Sequence, residues 1–173
     1  MKRIGSLLVA LTTLAGAAAF MTPASGGAAD DAVPIYGIKI PAGYRDWRLV
    51  SVAHEEGTLH SIGAVLGNDV AIKAYRAGTL PFPDGTILAA LHYGHVASDE
   101  NNKVFGDPQS FVAGPPTNIQ FMVKDSKKFA STGGWGFAHF DKDGKPGTEA
   151  LLKTCAPCHA QASRDNVFTR YAP

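Results

Sequence analysis

The pentad Cys155-Ala156-Pro157-Cys158-His159, with only fifteen residues after Cys158, constrains this chain more than any other stretch of its 173 residues. Four chemistries use such letters: a redox dithiol, half of a zinc site, a disulfide staple, or an attachment point for haem. A thioredoxin-like dithiol needs its cysteine pair at a helix start just after a strand, where helix-terminal amides lower the thiol pKa. The run TEALLKTCAPCHAQAS instead reads as one helix, capped by Thr148, with the pair late in it. Structural zinc takes four N or S ligands, and adjacent Cys158 and His159 reach one tetrahedral ion awkwardly. A local disulfide leaves His159 without a task.

Haem attachment uses all three residues. Thiols three positions apart lie on neighbouring faces of one helical turn and can add to the two vinyl groups of a porphyrin, and the histidine that follows turns its imidazole to the iron. The expectation is a covalently held haem c, with Cys155 and Cys158 as thioether residues and His159 as the proximal iron ligand.

The N-terminus supports a compartment in which such chemistry occurs. Lys2 and Arg3 precede an apolar run from Ile4 to about Phe20 and then small residues, the pattern of a secretory leader over residues 1–29, cut between Ala24 and Ala29. The apolar run is short for a membrane span and no stop-transfer charges follow it, so no span is expected after processing. Lys2 and Arg3 leave with the leader, so 14 of the 16 basic residues remain against 15 acidic ones. That balance offers nucleic acid or an anionic membrane no electrostatic purchase. Exported, Cys155 and Cys158 meet an oxidising periplasm-like compartment, where a free reduced pair does not persist unaided.

With 45% hydrophobic and 18% charged residues, positions 30–173 suffice for a single domain with its own core. Strands are expected from about Trp47 to His54, around Ile62-Ala64-Leu66, and from about Thr86 to Tyr93, by alternation and turn signals. A helix is expected over DVAIKAYRA, capped by Asn68 or Asp69 and ended by Gly78. Ser98 to Pro108 reads as a loop, SFVAGPPTNIQFMVKDS as a strand pair interrupted at Gly114-Pro115-Pro116, KDSKKFAST as a short helix, and GGWGFAHF as a last strand. Turns rather than long helices join most strands, so the fold class is α+β: a mainly antiparallel sheet with helices packed on one side and a C-terminal haem-binding helix.

YRDW, DGT followed by a strand, VKDSKKFA, GGWGFAHF and the terminal CAPCH with DNVFTRYAP, in that order, resemble the cytochrome P-460 family, which also includes the cytochrome c′-beta proteins. The resemblance spans nearly the whole mature chain. It implies an antiparallel sheet with flanking helices, a homodimer, and one haem c per chain with an open distal side. In the hydroxylamine-oxidising members a lysine four positions past the Thr of Asp-Gly-Thr is cross-linked to haem, and that position is Ala90 here. A distal carboxylate falls four residues before the Lys of Lys-Asp-Ser, where this chain has Gln120. Alanine has no amine to cross-link, and an amide is no general base at ordinary pH. Lys73, on the preceding helix, lies outside the strand that the family uses.

For the sixth iron position the chain offers Met122, the only methionine after the leader, and His54, His60, His92, His95 and His139. His92 stands out, because in a strand it shares a face with Ala90 and Leu88. Trp47, Trp135, Phe82, Phe121, Phe137 and Phe140 read as core, with some of them against the porphyrin. His54-Glu55-Glu56 lacks a zincin's second histidine and reads as a solvated strand end, while Arg170 and Tyr171 suit a propionate contact or a surface tail. Three functions remain: a five-coordinate haem protein binding a small molecule such as nitric oxide, an enzyme oxidising hydroxylamine or a related nitrogen compound, and a six-coordinate carrier serving a redox partner protein.

Overall fold

Strand alternation and one well-capped helix organise the molecule. The computed structural model describes residues 35–172, so the leader expected over residues 1–29 lies outside the described residues. Five strands, β1 (Arg48–Glu55), β2 (Ser61–Gly67), β3 (Ile87–Ala97), β4 (Phe111–Lys124) and β5 (Trp135–Asp141), form one antiparallel sheet in the order β1-β2-β3-β4-β5. Helices are α1 (Asp69–Ala77), α2 (Asp99–Phe105), α3 (Glu149–Leu152) and α4 (Cys155–His159). The α+β expectation holds. Among the described residues no helix is long and apolar enough to cross a membrane.

Period-2 alternation splits the sheet into two buried faces. Ala89, Leu91, Ile119, Phe121, Ala138 and Phe140 point to one side, where Ile38 and its neighbours in the segment before β1 cover them. Leu88, Phe137 and Trp135 point to the other, where Ala71, Ile72, Ala74 and Tyr75 of α1 pack. The α1 residues follow helical spacing, one apolar stripe on a short helix. Cys155 touches both cores, so the pentad sits where they meet.

Asn68 fixes where α1 begins. Its Oδ1 accepts from the amides of Ala71 at 3.0 Å and Ile87 at 3.1 Å, and its Nδ2 donates to the Gly85 carbonyl at 2.8 Å. One side chain thus caps a helix and ties it to the turn before β3. Asn68→Ala should cost about 2 kcal/mol, the upper end for a cap; denaturant unfolding checks this, and a loss below about 0.5 kcal/mol would contradict it.

The structure differs from the sequence expectation in four places. Ser98–Pro108 contains α2, with Ser98 capping the Asn101 amide and Gly106 closing it in the left-handed region at φ 79°. β4 runs unbroken through Gly114-Pro115-Pro116, since the prolines fall where the β3–β4 register shifts around Tyr93 and no ladder donor is required. KDSKKFAST forms turns and a 3₁₀ segment, Ala130–Thr132, rather than a helix. The C-terminal helix is two pieces, α3 and α4, broken at Lys153-Thr154, where Thr154 Oγ1 donates to the Leu151 carbonyl at 2.7 Å. The cysteine pair therefore opens its own short helix instead of lying late in a long one.

Candidate functional site

Cys155 is the first residue of α4 and Cys158 lies one turn on, both as free cysteines. Cys155 is half-buried and Cys158 exposed. Burial raises the Cys155 thiol pKa, and the neighbouring Cys158 adds to the rise.

His159 closes the same turn. Its ring lies 5.0 Å from Phe137 and 5.1 Å from Phe168, and its Nδ1 is 2.9 Å from the Asn166 carbonyl oxygen. A carbonyl only accepts, so the neutral ring carries its proton on Nδ1 and its lone pair on Nε2. Burial lowers the imidazole pKa, with the Asn166 carbonyl pulling part of the way back. Neutral imidazole with a lone pair on Nε2 is the metal-ligating form.

The sheet face beside this histidine is laid out in rows. Leu88, Met122 and Phe137 are successive cross-strand partners, as are Ala90, Gln120 and His139 in the next row, and His92 pairs with Asn118 in the one after. The sequence-predicted residues Ala90, His92, Gln120 and Met122 thus share one face, and Phe137 links that face to His159. Gln120 Nε2 donates to Asn118 Oδ1 at 3.0 Å. His92 Nδ1 lies 3.5 Å from Glu55 Oε2, which also accepts from Ser61 Oγ at 2.9 Å. His139 Nδ1 is buried without a hydrogen-bond partner, and burial, followed by the proximity of His92, lowers its pKa.

Two thiols one turn apart, an imidazole fixed by Nδ1, aromatic rings beside it and a sheet row opened by the small Ala90 fit the haem that the pentad implies. The family model for cytochrome P460 matches residues 41–169. The chain belongs to the cytochrome P460 family. No curated protein matches the chain. As a member of this family of cytochromes, the protein binds haem.

Within this cytochrome P460 chain, the remaining histidines stand apart. His54 and His95 stack at 4.0 Å, His60 meets His95 edge-on at 4.9 Å, and Phe111 stacks on His95 at 4.2 Å. Trp135, Phe82, Phe121, Phe137 and Phe140 are buried core, as expected. Tyr171 is pinned rather than loose: its hydroxyl accepts from Arg76 Nε at 3.0 Å and its ring stacks on Tyr75 at 5.7 Å. Sequence reasoning missed Asn166 as the partner of His159, and missed Lys124 and Asp165 behind it. The one available signal was Asp165-Asn166, residue types that tolerate the left-handed backbone a sharp return requires. His139 was only one of several histidines, although WGFAHFD, read as a strand, already puts it on the face of Phe137.

Proposed function

We propose that this protein is an exported monohaem c-type cytochrome. Cys155 and Cys158 each add a thiol S–H across a haem vinyl group, His159 ligates iron through Nε2, and the distal side binds a small molecule such as nitric oxide. The observation that carries the reading is the His159 geometry: Nδ1 is committed to the Asn166 carbonyl while the ring packs on Phe137, one row from Ala90 and Gln120. When bound, haem would be held by Cys155, Cys158 and His159 and would supply a redox-active iron able to bind a diatomic molecule or take up an electron.

The chain's own residues define what that open side accepts. Ala90 presents a methyl group, which leaves room, and Gln120 has a second amide proton beyond the one given to Asn118, which suits hydrogen bonding to a bound ligand. Neither residue supplies the amine or carboxylate of the hydroxylamine oxidisers. Lys124 does not substitute, because its ammonium is held by Asp165 at 2.9 Å. The basic-then-apolar leader supports export, and the family resemblance supports a homodimer and a redox partner protein.

Optical spectra of the purified holoprotein, ferric and ferrous, test this reading. A five-coordinate ferrous spectrum that changes on adding nitric oxide is expected. A low-spin spectrum indifferent to nitric oxide would instead put Met122 or a histidine on the sixth position. A strongly red-shifted ferrous Soret band would indicate a lysine cross-link and favour the oxidase.

A further inference from the structure

Lys124 is an unusual residue to find inside a protein of this size. Its side chain is 6% exposed, and its Nζ reaches Asp165 Oδ1 at 2.9 Å, the Gly133 carbonyl at 3.0 Å and the Trp135 ring at 5.0 Å. Asp165, 14% exposed, spends its other oxygen on the Phe82 amide at 2.8 Å. Burying such a pair strips hydration from both charges, and an apolar pair of equal volume often stabilises as well or better. Stability is therefore a poor reason for it. Position is a better one.

Asp165 and Asn166 both adopt the left-handed backbone region, at φ 51° and 63°, which non-glycine residues hold only when the surroundings enforce it. The turn they make is fixed before it by the Ala162 carbonyl, which accepts from the Asn166 amide at 3.2 Å, and after it by Val167, 2% exposed in the α1-side core. Its product is the Asn166 carbonyl that takes the His159 Nδ1 proton.

We propose that the Lys124–Asp165 ion pair is a positioning device for the proximal imidazole: it holds the Asp165–Asn166 turn so that the Asn166 carbonyl stays on His159 Nδ1. This rests on the reading of His159 as the iron ligand. A hydrogen bond from Nδ1–H raises the basicity of a ligating histidine. The clamp therefore strengthens donation to iron, favours the ferric state and lowers the reduction potential, although Lys124 itself sits at the end of β4 and touches no part of His159 that the structure records.

The test uses ferrous holoprotein, reading the iron–histidine stretch by resonance Raman together with the reduction potential. Lys124→Met removes the cation; Asp165→Asn removes the charge while keeping an acceptor for the Phe82 amide. Both should lower the stretching frequency and raise the potential. Ser98→Ala, which weakens the cap of α2, a helix with no buried residue and no contact with the turn, should move neither. Wild-type values in both clamp variants, or an equal shift in Ser98→Ala, would overturn the proposal. Should Lys124→Met fail to accumulate, Asp165→Asn decides alone. If neither accumulates, hydrogen exchange of the wild-type His159 Nδ1 proton decides: slow exchange supports the clamp, and exchange as fast as free imidazole overturns it. Absence of any iron–histidine band in the wild type would count against His159 as the ligand, a different failure.

Discussion

His159→Ala holoprotein should keep its haem on Cys155 and Cys158 while losing the axial imidazole signature altogether. The two thiols lie in the same short helix as the ring, and the proposed thioether bonds would form at sulfur without any part played by the imidazole. The ring itself is half-buried between Phe137, a residue of the α1-side core, and the exposed Phe168, and it pairs with no strand, so its loss trims the margin of that core and leaves the sheet ladder intact. Changes one shell out from a metal typically cost roughly 10–100-fold in affinity or activity, and losing the ligand itself should exceed that. The iron–histidine stretch should disappear, the ferrous spectrum should change, and added free imidazole should restore both in part. An unchanged spectrum in a protein whose haem remains covalently bound would mean that another residue holds the iron.

The largest expected effect on stability comes from Trp135→Ala, at about 3–5 kcal/mol. Trp135 is fully buried, meets Phe82 edge-on at 5.8 Å and lies under the Lys124 ammonium. Truncation leaves a cavity in the α1-side core and strips the buried cation of its aromatic neighbour. Trp135→Phe should cost much less, because the indole Nε1 has no hydrogen-bond partner to lose. Guanidinium unfolding of the two holoproteins compares them directly; equal midpoints would show that the ring's volume is not what stabilises this core.

Local pattern made much of this architecture readable. Alternation in SIGAVLG and ILAALHYG is imposed by one-residue pleating, so strands β2 and β3 and the shared face of Leu88, Ala90 and His92 could be read without any partner. Asn68 and Gly78 are capping chemistry, equally local. The failures have long-range or competing causes. Pro115-Pro116 signals a break, and only the register slip opposite Tyr93 turns that signal into a tolerated bulge. DENNKVF has a loop's composition and becomes a helix because Ser98 and Gly106 bracket it. At the site, Cys155, Cys158 and His159 announce themselves by side-chain chemistry. The Asn166 contribution is a backbone carbonyl, which every residue possesses, and the Lys124–Asp165 pair joins positions 41 residues apart. Beyond the Asp165-Asn166 dipeptide, whose residue types tolerate a left-handed turn, neither leaves a trace in composition or spacing.

The route of the C-terminal segment has its own consequence. After β5 the chain bonds back to the His139 carbonyl through the Gly147 amide, reaches β4 through Asp165, lies on α1 through the Thr169 carbonyl and Tyr171, and ends with the Ala172 amide on the Val50 carbonyl of β1, at 2.8 Å. The sheet's two edges are thus tied to each other by the strip that carries His159. On the proposed ligation by His159, loosening either edge should reach the imidazole through this strip. Haem absorbance is then expected to report damage at β1, far along the chain from the pentad.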